Sequence, residues 1–151
     1  ITDPVGMKYF SSHLRKECSH ENIVFWRQVE NFRAKWDLED TYSHEQLVET
    51  ARILFSQFFT GSCLMELNIS HKTHQDIKKA FEEKRVDKHV FDLAQREIYS
   101  LMKNDSFKRF KKSRICLRFV RAMKNRHMQL KSTEEEQQRT GNKAKSGNGT
   151  K

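Results

Sequence analysis

The chain has 151 residues and a formal net charge of +9, and 32% of its residues are charged, a size that suits one domain with an ordinary core. No window approaches the roughly 20 apolar residues of a membrane span, and the first residues do not form a secretory signal. Cys18, Cys63 and Cys116 lack metal-ligand spacing and the histidines are scattered, which predicts reduced thiols and no metal site.

Apolar residues recur at helical spacing between charged ones, and this pattern predicts an all-α chain. A first helix is expected over residues 4–17, because Pro4 is tolerated in a first turn, and a second over residues 20–36. Ser19 is the predicted N-cap of the second helix, since its hydroxyl can accept an unpaired backbone N–H. Glu21 suits the positive end of the same helix dipole.

The middle of the chain predicts three more helices. Ser43, with Gln46 three residues on, forms a capping-box pattern that starts a helix ending near Phe59. Further helices are expected over residues 70–84 and 89–103. Aromatic residues at helical spacing are predicted to be core residues: Phe25, Trp26, Phe32, Phe58, Phe81, Phe91 and Phe110.

The last third of the chain predicts one further helix and a tail. Residues 104–106 (Asn-Asp-Ser) are expected to interrupt the pattern and to cap a sixth helix that runs to about Leu130. From Ser132 the composition changes to Glu, Gln, Lys, Gly and Ser without aromatics. This change predicts a disordered tail or linker over residues 132–151, after a domain of residues 1–131.

Positive charge is concentrated between residues 106 and 132, which hold ten of the 29 Lys and Arg and no Asp or Glu. One interpretation is the solvated face of an amphipathic helix, and the other is contact with an anionic membrane. Nucleic acid is a weaker candidate, because no recognised binding motif accompanies the charge. The residues assigned to membrane contact are Lys111, Lys112, Arg114, Arg118 and Arg121.

Three segments carry the most information about function. The first, residues 19–26, reads Ser-His-Glu-Asn-Ile-Val-Phe-Trp; the second, residues 66–69, reads Glu-Leu-Asn-Ile; the third, residues 101–110, reads Leu-Met-Lys-Asn-Asp-Ser-Phe-Lys-Arg-Phe. Their order and spacing resemble the signature of regulator of G-protein signalling (RGS) domains, over roughly residues 6–120. The three together are much more specific than any one.

The resemblance implies an RGS-type fold, in which a four-helix bundle is flanked by a helical subdomain made from the two chain ends. It implies a partner, the α subunit of a heterotrimeric G protein in its GTP or transition-state form. The domain would hold the switch regions of that subunit, accelerate GTP hydrolysis and so inhibit signalling. It would contribute no catalytic residue and no cofactor, because the α subunit supplies its own Arg, Gln and Mg²⁺.

The same resemblance implies which residues touch the α subunit. Asn68 would reach furthest into the α-subunit site, and Arg109 would hold Asp105 in place. The full set of expected contacts is Ser19, Glu21, Asn22, Asn68, Leu101, Asp105, Ser106 and Arg109.

The chain departs from the family pattern at His20 and at Ser70, where acidic residues are common. The implied location is cytoplasmic, at the inner face of the plasma membrane where the basic segment binds lipid.

Each segment also has a plainer interpretation when it is taken alone. The first is a helix cap, Asn68 ends a turn, and Asp105 with Arg109 is an ordinary i,i+4 ion pair. The alternative function is therefore an RGS-like scaffold without GTPase activation, which binds another protein or an anionic membrane.

Overall fold

The computed structural model describes residues 3–38, 41–61 and 65–146, with side chains as far as Glu134. These residues form seven α-helices and no strand, which confirms the all-α prediction. No helix among them is both long and apolar enough to cross a membrane. The helices are α1 (Pro4–Lys16), α2 (His20–Trp36), α3 (His44–Phe58), α4 (His71–Glu82), α5 (Asp92–Leu101), α6 (Phe107–Lys111) and α7 (Arg114–Ser146), and a π-helical segment, Met102–Ser106, joins α5 to α6.

Helices α2 to α5 form a four-helix bundle around an aromatic core. Phe25 is fully buried and packs edge-on against Phe58 of α3 at 5.2 Å between ring centroids and against Phe91 at 6.2 Å. Phe32 and Phe110 are also buried, as predicted. The other two aromatic residues assigned to the core, Trp26 and Phe81, are only partly buried against it.

The two chain ends form a second layer of helices, as the resemblance implies. Phe10 of α1 lies 5.4 Å from Phe110 of α6, and Tyr9 lies 5.5 Å from Phe119 of α7, measured between ring centroids. This layer places the end of α1 beside the π-helical segment, and so brings the first and third segments to one side of the molecule.

Two predicted helix starts are confirmed. The Ser43 hydroxyl accepts the Gln46 N–H while the Gln46 side chain accepts the Ser43 N–H, which completes the capping box of α3. Ser70 is the N-cap of α4 and accepts the Thr73 N–H at 3.3 Å. Both caps lie at exposed helix ends, where the unpaired N–H groups need acceptors.

The expected interruption at residues 104–106 is wrong. The backbone continues from α5 through the π-helical segment into α6. Ser106 makes no side-chain cap because its own backbone is helical, so no new helix begins there. The helix breaks instead at Lys112, and the single sixth helix expected to run to Leu130 is therefore also wrong. The break falls there because the Ser113 hydroxyl accepts the Cys116 N–H at 3.2 Å and caps α7.

The structure continues α7 to Ser146, where composition predicts a disordered tail or linker from Ser132. Residues 132–140 consist of three Glu, two Gln, one Arg, two Thr and one Ser, without glycine or proline. Glu, Gln and Arg are good helix formers, so the intrinsic preference of this stretch permits the extension. Residues 147–151 lie outside the described residues. The end of the domain at residue 131 stays a prediction.

Candidate functional site

The first segment lies where α1 ends and α2 begins without a loop. The Ser19 N–H donates to the Leu14 carbonyl at 2.9 Å, and the Cys18 N–H donates to the Arg15 carbonyl at 3.3 Å. This is a Schellman motif, with Cys18 in the left-handed region at φ 51°. The Ser19 hydroxyl also approaches Leu14 and caps nothing in α2. The predicted N-cap role of Ser19 is therefore wrong, because this serine completes the end of α1.

Two polar side chains at the start of α2 are withdrawn from water without full compensation. Burial raises the pKa of Glu21 above its ordinary value. Asn22 is 3% exposed, and its Oδ1 atom has no hydrogen-bond partner among the described residues. An acceptor left unpaired in this way is costly, and because the Oδ1 atom is itself buried, the structure places the Asn22 amide oxygen below the surface.

His20 occupies the position where the family pattern has an acid. Its Nε2 lies 3.0 Å from the Ser11 hydroxyl and 3.2 Å from Arg15 Nε, which donates to it. Burial and the Arg15 charge both lower the pKa of His20. The imidazole is therefore neutral at pH 7, and it accepts from α1 rather than carrying charge to the surface.

The second segment presents Asn68 on a tight turn. The Ile69 N–H donates to the Leu67 carbonyl at 3.1 Å, which closes a three-residue γ-turn centred on Asn68. Leu67 is 7% exposed and anchors the turn in the core, whereas the Asn68 side chain is exposed. Glu66 is also exposed, and residues 62–64 lie outside the described residues.

The third segment coincides with the π-helical segment. The wider turn buries Met102 and Ser106 and leaves Asn104 and Asp105 exposed, with Leu101 half-buried. Extra-wide turns of this kind are rare and occur often at functional sites. Ser106 is 2% exposed, so the structure places this predicted contact residue under the surface.

A groove of about 540 Å³ brings the second and third segments together. Its lining residues are Asn68, Arg96, Glu97, Ser100, Leu101, Asn104 and Asp105. Three of the eight predicted contact residues therefore share one concave surface. The other lining residues were not assigned from the sequence, because nothing in the spacing of α5 shows which of its faces meets Asn68.

Arg109 links the first segment to the third. Its guanidinium donates to Asp105, as the i,i+4 spacing predicts, and also to both carboxylate oxygens of Glu17, with Nε and Nη2 each at 2.9 Å. The Arg109 hydrogen bond lowers the pKa of Glu17. Glu17 ends α1 two residues before Ser19. Sequence reasoning missed it, because its partner is 92 residues away along the chain.

The basic side chains assigned to membrane contact lie on the surface. All five residues assigned to membrane contact are exposed: Lys111, Lys112, Arg114, Arg118 and Arg121. The last three recur at i, i+4 and i+7 along α7, which places them on one helix face. Leu117 lies on the same face and is 56% exposed. Within the described part of the chain, no cluster of His, Cys, Asp or Glu could hold a metal ion.

An all-helical bundle with a terminal subdomain, which presents three polar segments on one side, defines the RGS class of domain. A sequence profile described as "Regulator of G protein signaling domain" matches residues 1–119. The chain therefore belongs to the RGS family.

Three relatives illustrate how close the family members are. The chain is 31% identical to Regulator of G-protein signaling 18 of Mus musculus over 126 residues, which cover 83% of this chain and 50% of the relative. It is 36% identical to Regulator of G-protein signaling 12 of Homo sapiens, covering 75% of this chain and 7% of the relative. It is 32% identical to Regulator of G-protein signaling 21 of Homo sapiens, and this match covers 80% of this chain and 74% of the relative. The chain thus spans half or less of the first two relatives.

Proposed function

We propose that this chain binds the switch regions of a heterotrimeric G-protein α subunit in its GTP or transition-state form and accelerates GTP hydrolysis. The observation that carries the proposal is the exposed Asn68 on its tight turn, beside Leu101 and Asp105 in one groove. A rigid asparagine can hydrogen-bond both donors and acceptors of a mobile switch. Holding the switch in its reactive shape lowers the barrier without any acid or base from this chain.

The first segment supports the same partner. The Glu17–Arg109–Asp105 chain of hydrogen bonds ties the end of α1, two residues before the first segment, to Asp105 in the groove. Asn22 is buried at the start of α2 and supports this surface from below. The proposed contact residues remain Ser19, Glu21, Asn22, Asn68, Leu101, Asp105, Ser106 and Arg109, and Ser106 acts by packing from below.

Two measurements test the proposal with one pair of variants. Single-turnover GTP hydrolysis by purified α subunits should accelerate when this chain is added, and binding should be tighter to GDP with aluminium fluoride than to GDP alone. Asn68→Ala should remove most of both effects. Asn31→Ala, an exposed asparagine on the side of α2, is the matched control and should remove neither. No acceleration for any α-subunit class would overturn the proposal.

A second candidate function is contact with an anionic membrane through Lys111, Lys112, Arg114, Arg118 and Arg121. The observation that favours it is the exposed Leu117 within the face formed by Arg114, Arg118 and Arg121. Apolar and basic residues on one helix face suit the boundary between headgroups and acyl chains. This contact would hold the chain at the inner face of the plasma membrane, and it is compatible with α-subunit binding or with the scaffold role.

A further inference from the structure

One carboxylate on α5 holds the start of α4. The Ser70 N–H donates to Glu97 Oε2 at 2.7 Å, and the Ser70 hydroxyl donates to Glu97 Oε1 at 2.9 Å. The Thr73 hydroxyl donates to the same Oε1 atom. Burial raises the pKa of Glu97, but the hydrogen bonds from Thr73 and Ser70 outweigh it and hold that pKa below its ordinary value. The carboxylate is therefore ionised at neutral pH and satisfies three donors of one helical turn.

These hydrogen bonds of Ser70 and Thr73 to Glu97 lie between the second and third segments. Ser70 follows Asn68 by two residues, and Glu97 precedes Leu101 by one helical turn on the wall of the same groove. Leu67 anchors the other side of the Asn68 turn in the core. The turn is thus fixed at both ends, by apolar packing before Asn68 and by the Glu97 carboxylate after it.

We infer that Glu97 is a positioning residue, which holds Asn68 at a set distance from Leu101 and Asp105 and so prepares the groove for its partner. The inference rests on the proposed function, since the partner is the α subunit named there. Glu97 itself need not touch that partner. Its role explains why Ser70 can replace the acidic cap expected at this position, because Glu97 provides the negative charge at the start of α4 from outside the helix.

A double-mutant cycle on aluminium-fluoride-activated α subunits separates this role from a general effect on stability. Glu97→Ala should weaken binding by about three- to tenfold, the size expected when one or two positioning hydrogen bonds are lost. In the Asn68→Ala background the same change should have almost no effect, because the side chain that Glu97 positions is gone. Glu97→Gln keeps one acceptor oxygen, so its affinity should lie between that of the unmodified chain and that of Glu97→Ala.

The matched control is Gln46→Ala, which removes the side-chain acceptor of an N-cap N–H at α3 as Glu97→Ala does at α4. It should lower stability without weakening the binding. A readout independent of the α subunit is hydrogen exchange of the Ser70 amide, which should lose protection in Glu97→Ala and keep more of it in Glu97→Gln.

The outcomes distinguish this inference from the proposed function. If the unmodified chain does not prefer the fluoride state, the proposed function falls, and this inference falls with it. If the unmodified chain does bind, an unchanged affinity for Glu97→Ala overturns only the inference. The inference is also overturned if Glu97→Ala lowers the affinity equally in the presence and absence of Asn68. Unchanged hydrogen-exchange protection of the Ser70 amide in Glu97→Ala overturns it as well.

Discussion

Glu17 and Arg109 lie 92 residues apart in the chain, yet their side chains form a two-pronged ion pair, with Arg109 Nε and Nη2 each 2.9 Å from a carboxylate oxygen. The pair joins the end of α1 to α6, and the Arg109 guanidinium also donates a hydrogen bond to Asp105. The alignment of the first and third segments therefore depends on a contact between the two chain ends. Both side chains are partly open to water, so the pair contributes more to geometry than to stability.

The first prediction concerns pH. The Arg109 hydrogen bond lowers the pKa of Glu17 below the ordinary 4.5, so the stability that it contributes is present above pH 4.5 and is lost as pH falls through the lowered value. Glu17→Gln should therefore lower the Tm at pH 7 but match the unmodified chain at the acid end. Thermal unfolding by circular dichroism from pH 7 to pH 3 measures this difference.

The same variant tests whether the ion pair aligns the first and third segments for binding. Glu17→Gln should weaken binding to aluminium-fluoride-activated α subunit by about fivefold, since Arg109 loses the charged partner that orients it. Glu45→Gln is the control, because Glu45 is an exposed carboxylate in the first turn of α3 and is not a hydrogen-bond partner of Arg109. If both variants bind equally well, the ion pair does not align the surface.

The second prediction compares two serines that a sequence pattern treats alike. Ser43→Ala should destabilise the chain by about 1 kcal/mol, because its hydroxyl caps α3. Ser19→Ala should lower the free energy of unfolding by only about 0.3 kcal/mol, since its hydroxyl caps nothing in α2. Urea unfolding of the two variants gives both values. An equal cost for both would show that the Ser19 hydroxyl caps α2 in solution.

How far the sequence could predict the structure depends on whether the determining contacts are local. The capping box at Ser43 and the periodic core aromatics are local patterns. The box and five of the seven aromatics were predicted correctly, whereas Trp26 and Phe81 are only partly buried. Ser19 satisfied the same rule for a cap but failed, because the end of α1 claims it. The resemblance supplied the three proposed contact residues that share the groove. It did not supply Glu17 or Glu97, whose partners lie 92 and 27 residues away.

The π-helical segment was missed for a similar reason. Asn, Asp and Ser in succession favour a helix break by local propensity. Tertiary packing decides otherwise, because Met102 is 1% exposed and Ser106 is 2% exposed, and a continuous helical backbone keeps both residues on the buried side. Local propensity is weak beside the burial of a methionine side chain.

The third prediction uses backbone strain away from the site. Lys84 follows the end of α4 at φ 55°, where the Arg85 N–H and the Lys84 N–H close a Schellman motif on Ala80 and Phe81. Lys84→Gly should stabilise the chain by about 1 kcal/mol, because glycine adopts this conformation without steric cost. Lys84→Ala keeps the strain and should change little. Urea unfolding compares them, and a loss of stability in Lys84→Gly would contradict the argument.

The fourth prediction concerns His20 at the start of α2. His20→Glu should stabilise the chain by about 0.5–1 kcal/mol, because a carboxylate there faces Arg15 and the positive end of the helix dipole. The lowered pKa of His20 means that the unmodified chain holds its full stability above pH 6.5 and loses it as pH falls through the lowered value.

His20→Gln separates the two effects, since it removes the titration without adding charge. Chemical unfolding between pH 7.5 and pH 5 should show no His20 component in either variant, and added stability in His20→Glu alone. A stability gain of equal size in His20→Gln would mean that burial of the imidazole, and not the missing charge, limits this helix end.

The last prediction tests the membrane contact. The double variant Arg118→Gln and Arg121→Gln should bind vesicles of phosphatidylcholine with phosphatidylserine about thirtyfold more weakly, since each basic residue near an anionic surface contributes about 1 kcal/mol. Lys72→Gln with Lys78→Gln removes the same charge from exposed positions on α4 and should leave most of the binding intact. Vesicle co-sedimentation measures all three proteins. Equal weakening by both double variants would mean that net charge alone attracts the chain, and that the face of α7 carrying Leu117 has no special role.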